Sequence, residues 1–154
     1  MKKFHGDWKP AAVVQSDAAR VLPAMLRQFF EHGDKVIRPH TSETRLHRFR
    51  LEAKRVRYTL ELFEPLYGAA IKGHLEGIKK VQHVLGQLND CQATLELIPE
   101  LDAAPEPGWL EAIVLRRDKK RADFIDLWLD EFTDAARRDD WIERLEQPAG
   151  TLLK

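Results

Sequence analysis

Apolar residues recur along most of this chain at the three- and four-residue spacing of amphipathic helices. The spacing predicts four long helices: about Ala11 to His32, about residue 42 to Glu64, about Ala70 to Ile98, and near Trp109 into the Arg137 region. A short segment at 140–146 can extend the fourth helix. No stretch shows the strict alternation that is typical of a half-buried strand. We therefore expect an all-α fold, an antiparallel four-helix bundle with long helices, in a single domain over residues 1–154.

Glycine, proline and capping residues mark the expected helix ends. Gly33 follows the first helix, and Pro23 inside it predicts a kink or a division into two helices. Thr41 or Ser42 can cap the second helix. The remaining boundaries fall at Pro65 and Gly68, at Pro99, and in the loop 101–108 with the sequence LDAAPEPG.

The second helix divides into two adjacent faces when its residues are placed about 100° apart. Its apolar face, expected to lie in the core, consists of Phe49, Ala53, Val56, Leu60 and Phe63. A polar and mostly basic face lies directly beside it, formed by His47, Arg50, Lys54, Arg57, Tyr58 and Glu61. A basic face at the edge of the core borders the neighbouring helix, so we expect it to line a groove.

The third helix shows the same division. Its predicted core residues are Ile71, Leu75, Ile78, Val81, Leu85 and Leu88. A separate polar stripe is formed by Lys72, Lys79, His83 and Asp90, with Gly86 beside it, where a missing side chain allows a helix or a ligand to approach closely. In the fourth helix, Arg116 pairs on one face with Lys120, and Arg117 with Arg121; spacing alone leaves open which pair faces the groove.

The charge is unevenly distributed, although 25 basic residues balance 25 acidic ones overall. Residues 45–58 contain six Arg or Lys and the single acid Glu52. These could be ordinary solvated charges, but like charges at helical spacing repel by a few tenths of a kcal/mol per pair. A single cysteine, Cys91, excludes an internal disulfide and favours a reducing compartment. Without a signal peptide or a long apolar stretch, we expect a soluble, cytoplasmic protein with no membrane partner.

Rows of Arg, Lys and His suit a polyanion, since guanidinium groups bind phosphate oxygens bidentately and Lys adds a mobile charge. Enzymatic chemistry is poorly supported, because paired carboxylates, a nucleophile beside a base and a glycine-rich phosphate loop are all missing from the sequence. We expect no metal and no cofactor, since cationic neighbours disfavour a cation near His47, His83 and Asp90.

The segments LHRFRLEAKRVRYTLELF and IKKVQHVLGQLNDCQAT resemble the CHAD family, the conserved histidine α-helical domains. The first half of the family pattern falls on His47, Arg50, Lys54, Arg57 and Tyr58. The second half falls on Lys79, Gln82, Leu85, Gly86, Asn89 and Asp90. The resemblance covers residues 46–90 well, the segment 108–110 with the basic helix after it more loosely, and the first helix hardly at all.

The resemblance implies a non-catalytic domain that binds inorganic polyphosphate in a basic groove, and that can associate with polyphosphate granules. Carried over, the binding residues are His47, Arg50, Lys54, Arg57 and Lys79, with Tyr58 and Asp90 supporting them. The helical positions add His83, Arg116 and Lys120 to the predicted binding set. A nucleic-acid-binding domain that uses the same basic stripe is the alternative, and an enzyme acting on phosphorylated substrates is a third class.

Typical members of the family contain two four-helix halves that face each other across a channel. This chain corresponds to a single half, most like the second one. One bundle could bind along an open groove, or two chains could form a homodimer that rebuilds the channel. The homodimer is favoured because an isolated half would leave its cationic wall open.

Overall fold

The computed structural model describes residues 11–101 and 106–148, with side chains from residue 15 onward. The helices are α1 (Ala11–Val36), α2 (Glu43–Tyr67), α3 (Lys72–Leu97), α4 (Pro107–Glu131) and α5 (Ala135–Glu146), and short 3-10 turns at Gly68–Ile71 and Ile98–Glu100 flank α3. No strand occurs within the described ranges. No helix in this part of the chain is both long enough and apolar enough to cross a membrane.

Consecutive helices pack side by side in antiparallel order. Between α2 and α3, His47 lies opposite Asn89, and Arg57 lies opposite Gln82. Between α3 and α4, Lys80 pairs with Glu131. The helix α5 then returns along α1. The predicted all-α bundle is therefore confirmed, with a fifth helix added to the four that were expected.

An aromatic cluster at the centre joins α1, α2 and α4. The rings of Phe29 and Phe49 stack with their centroids 5.1 Å apart, and Trp128 meets both rings edge-on at 5.5 Å. Phe132 stacks on Trp128 at 4.7 Å. Because each of these four side chains is nearly or fully buried, the cluster fixes the packing of the helices around it.

The end of the first helix was predicted wrongly at Gly33, since α1 continues to Val36 and also passes through Pro23 as one helix. Gly33 lies inside α1 because Trp128 packs against it: a Cβ atom built there would lie 1.9 Å from Cζ2 of that ring. The glycine therefore marks a close approach of α4 and not a helix end.

The fourth helix was also predicted too long, since α4 ends at Glu131 and Asp134 caps a separate α5. The carboxylate of Asp134 accepts a hydrogen bond from the Arg137 N–H over 3.1 Å, which is a standard way to begin a helix. The helix α2 begins in the same way, with Ser42 accepting from the Arg45 N–H, and it runs through Pro65 to Tyr67.

An ion pair and shared hydrogen bonds hold α5 against α1. The guanidinium of Arg138 contacts the two carboxylate oxygens of Asp34 at 2.6 and 2.9 Å, and the indole N–H of Trp128 donates to the same carboxylate over 3.0 Å. The hydrogen bond from Arg138 is the main cause that lowers the pKa of Asp34 below its usual range. This cluster lies on the α1–α5 side of the bundle, away from the basic stripe of α2.

Candidate functional site

The predicted core faces of α2 and α3 are confirmed, and this fixes where the basic stripes lie. Phe49, Ala53, Val56 and Leu60 are buried, and Phe63 packs against the core while partly exposed. All six predicted core residues of α3, from Ile71 to Leu88, are buried. The polar faces of both helices therefore border the groove between them.

The central part of this groove is an open depression of about 540 Å³. Four of the predicted site residues lie around it: Arg57 from α2, and Lys79, His83 and Asp90 from α3. Two glutamines and a glycine complete its lining, namely Gln82, Gln87 and Gly86. The depression thus combines three basic side chains with neutral hydrogen-bonding groups and one carboxylate.

The guanidinium of Arg57 is held in place by two neighbours. Its Nε–H donates to Glu61 over 3.0 Å, and Nη1 donates to the side-chain oxygen of Gln82 over 2.9 Å. Arg57 is only 29% exposed, so it is oriented before any ligand arrives, and its remaining N–H groups are available. Lys79 is more exposed and pairs with Glu76 at 3.2 Å, one turn earlier on α3.

Gly86 lies in the depression with open space beside it. No atom outside its own stretch of helix lies within 4 Å of where its Cβ would be. A glycine inside a helix costs roughly 0.5–1 kcal/mol relative to alanine, and at Gly86 no packing contact explains that cost. The missing side chain does keep the α3 backbone accessible from the groove.

A second, smaller depression of about 250 Å³ continues from the first toward α4. Gln87 and Asp90 line both depressions, and Arg116 lies at the α4 side of the second. Spacing left open which basic residues of α4 face the groove, and Arg116 is one that does. Arg121, on another face of α4, instead pairs with Glu43 at 3.4 Å and donates to the Thr41 carbonyl, so it ties α4 to the loop before α2.

His47 and Arg50 lie in a third cavity of about 310 Å³, which we call the end pocket. It is formed by the first turns of α2 and the last turns of α3. The Nδ1–H of His47 donates to the Asn89 side-chain oxygen over 3.2 Å. Asn89 therefore orients the imidazole across the two helices, in agreement with the motif that contains both residues.

Three predicted site residues lie outside these cavities. Lys54 and Tyr58 are exposed on α2, with the Lys54 ammonium 5.9 Å and the Arg57 guanidinium 5.6 Å from the centre of the tyrosine ring. Lys120 lies near Asp123 on α4, at 3.9 Å. The roles of these three residues remain predictions, as do those of the residues that line the cavities.

Sequence reasoning did not single out Gln87, although it joins the two depressions. Its place next to Gly86 and four residues after His83 was the available signal. Within residues 11–101 and 106–148, no cluster of three or more His, Cys, Asp or Glu side chains could hold a metal ion.

The groove lies within the part of the chain that matches a known family. The CHAD domain matches residues 2–99, which include all of α1, α2 and α3 and stop before α4. No curated protein and no solved structure matches the chain. The matched segment covers well over half of the sequence and contains His47, Arg57, Lys79 and Gly86. This chain belongs to the CHAD domain family, which is linked in general to polyphosphate and triphosphate binding.

Proposed function

We propose that this protein binds inorganic polyphosphate without hydrolysing it, along the groove between α2 and α3. The proposal is supported above all by the central depression, where Arg57, Lys79 and His83 surround an accessible glycine. Membership of the CHAD family supports the choice of ligand. The predicted path begins at His47 and Arg50, passes through this depression, and continues toward Arg116.

The chemistry of these side chains fits a chain of phosphates. Arg57 keeps free N–H groups beside those bound by Glu61 and Gln82, so it can take a phosphate oxygen without reorienting. Lys79 adds charge from the opposite wall, and the His83 ring adds a hydrogen-bonding group. Binding several phosphates releases their counterions, which favours association and makes the affinity depend on salt.

Binding without turnover is part of the proposal. Arginine stays protonated in proteins and lysine is normally a cation, so neither is suited to activate a water molecule for attack on phosphorus. A catalytic role for His47 would be the main alternative. Steady release of orthophosphate from polyphosphate that His47→Ala abolishes would contradict the binding-only proposal.

The experiment that tests the ligand is a titration with long-chain polyphosphate over a salt series, compared with single-stranded DNA and orthophosphate. We expect polyphosphate to bind most tightly at every salt concentration, with an affinity that falls as salt rises. The slope of log affinity against log salt estimates how many phosphates are neutralised. Equal affinities for DNA and polyphosphate throughout the series would refute specific polyphosphate binding.

A charge reversal tests the site. Arg50→Glu combined with Lys54→Glu should remove polyphosphate binding while helicity and melting temperature stay nearly unchanged. The matched control is Arg48→Glu with Arg55→Glu, which makes the same change on an exposed face of the same helix. Equal loss of affinity in both double variants would mean that net charge, and not the groove, attracts the ligand.

We further propose that two chains pair so that their basic faces enclose the ligand. Lys54 and Tyr58 support this arrangement, since both are exposed beside the groove, where a second wall could cover them. Light scattering after size-exclusion chromatography, with and without polyphosphate, measures the assembly. A monomer at all concentrations, binding polyphosphate as one protein per site, would show that the open groove is sufficient.

Nucleic-acid binding is the second candidate function. It is favoured by Tyr58, which is 50% exposed and whose ring is flanked by Lys54 and Arg57, because an exposed aromatic beside cations can stack on a base. Tyr58→Ala in the same titration separates the two candidates. A large loss of DNA affinity with unchanged polyphosphate affinity would favour nucleic acid as the ligand of this face.

A further inference from the structure

The end pocket differs in chemistry from the rest of the groove. Buried side chains of Leu46, Leu85 and Leu88 are part of its lining, whereas the central depression has no leucine in its lining. Its volume of about 310 Å³ falls at the lower end of the range for small-molecule sites, roughly 300–1,000 Å³. Buried leucines are of no use to a hydrated polyphosphate chain, but they can cover the carbon skeleton of an organic ligand.

One side of the end pocket offers an unpaired cation. Arg50 is half-buried and has no hydrogen bond or ion pair with any other residue of the described part of the chain. A partly desolvated guanidinium in this state is stabilised by a carboxylate or a phosphate, to which it donates charge-assisted hydrogen bonds. Arg50 therefore marks the position of an anionic group.

The other side offers acceptors. Glu96 lines the pocket and accepts a hydrogen bond from Nε2 of Gln92 over 3.3 Å. Gln92 also lines the pocket, but its Oε1 is buried and has no hydrogen-bond partner among the described residues. A buried acceptor without a donor is unfavourable. The exposed Glu96 carboxylate is a site for a group that is positively charged and donates several hydrogen bonds, such as an ammonium.

The two sides lie at opposite ends of the pocket. Asn89 lies opposite His47, and Arg50 lies three residues beyond His47 toward the middle of α2. Glu96 lies seven residues beyond Asn89 in the other direction, so ten residues, or about 15 Å at roughly 1.5 Å per residue, separate the two backbone positions. Side chains on a helix lean toward its N-terminus, so the Arg50 and Glu96 side chains lean toward each other and shorten this gap. A ligand that reaches both ends must therefore be extended.

We propose that the end pocket binds a small, extended organic molecule with an anionic group at Arg50 and an ammonium group at Glu96. This inference goes beyond polyphosphate binding, because neither the ammonium nor the apolar segment exists in polyphosphate. The binding sites of the organic molecule and of polyphosphate share only His47 and Arg50.

The test uses a matched set of probes: 6-aminohexanoate and 6-aminohexyl phosphate, which carry both groups, and hexanoate, which lacks the amine. Binding is followed by the amide NMR signals of the ¹⁵N-labelled protein. We expect both amino probes to shift the signals of Arg50, Asn89 and Glu96, and to bind about tenfold or more tightly than hexanoate, since a charged hydrogen bond is lost. Comparing the two amino probes shows whether phosphate or carboxylate is preferred.

Two variants separate this pocket from the polyphosphate site. Glu96→Gln should remove the preference for the amino probes, and Ala93→Leu, at an exposed position that lines the pocket, should abolish binding of every probe. Glu96→Gln, at the end of the pocket away from Arg50, should leave the polyphosphate titration unchanged, whereas Lys79→Glu should weaken polyphosphate alone. Equal affinity for hexanoate and 6-aminohexanoate, binding that survives Ala93→Leu, or no binding of any probe at millimolar concentration would each overturn the proposal.

Discussion

Substitutions at Gly86 should change the stability of this protein and its affinity for polyphosphate independently of each other. The Cβ atom of Gly86→Ala meets no neighbour within 4 Å, so the change brings no steric cost. Alanine is favoured over glycine in a helix interior by roughly 0.5–1 kcal/mol. For a chain of this size, a gain of 1 kcal/mol raises the melting temperature by about 2–4 °C. Thermal unfolding followed by circular dichroism measures this gain.

The same position should weaken ligand binding when the new side chain is larger. In Gly86→Leu, the isobutyl group enters the depression lined by Arg57, Lys79 and His83. Losing one charge-assisted hydrogen bond costs roughly 1.5–3 kcal/mol, which corresponds to about a tenfold or larger loss of polyphosphate affinity. The assay is the polyphosphate titration at one fixed salt concentration, with the folded state of the variant verified by its melting temperature.

Gly73 provides the matched control for this experiment. It lies in the first turn of the same helix, also has nothing within 4 Å of its Cβ position, and does not line the central depression. We expect Gly73→Leu to leave polyphosphate affinity unchanged. Gly86→Leu with the affinity of the unaltered protein would refute the groove as the binding site. A destabilised Gly86→Ala would refute the open space on which the reasoning depends.

Two further predictions concern the fold. Gly33→Ala should destabilise the protein by about 1–3 kcal/mol or more in a urea titration, because the new methyl group collides with Trp128; an unchanged midpoint would contradict that contact. Asp34→Asn should lower the melting temperature at neutral pH, because Arg138 loses its carboxylate partner. Since the pKa of Asp34 is lowered in the folded state, its stabilisation is present above about pH 4 and is lost as pH falls through the folded pKa, so the difference between the two proteins should shrink in acid. A difference that stays constant from neutral pH to pH 2 would contradict this linkage.

The α2 and α3 faces could be predicted from sequence because burial of apolar side chains fixes the rotation of each helix. Once Val56 and Leu60 point into the core, Arg57 is constrained to the border of the groove. The same reasoning failed at Gly33, whose role depends on a tryptophan 95 positions away in the chain. The short break before α5 could have been predicted, since Asp134 is a typical capping residue. The apolar pattern alone does not show it.

The contribution of α4 could not be predicted for a different reason. Arg116 and Arg121 lie on adjacent faces of a helix with buried residues only at Phe124 and Trp128 within its length. With so few core residues near its start, the sequence does not fix which face turns toward α3. Packing decides it, and places Arg116 in the same depression as Asp90 while Arg121 reaches the loop before α2.

Part of the basic stripe is stabilised without a ligand, because some of its cations already have partners. Arg57 is bound by Glu61 and Gln82, and Lys79 pairs with Glu76. These contacts reduce the repulsion between like charges and also hold the donors in place, so little side-chain entropy remains to be lost on binding. Arg50 has no such partner among the described residues and is half-buried, whereas Lys54 and His83, which have no hydrogen bond or ion pair either, are exposed to solvent. A ligand that reaches Arg50 therefore gains an interaction that the protein cannot supply itself, which makes the His47–Arg50 end of the groove the place where ligand identity matters most.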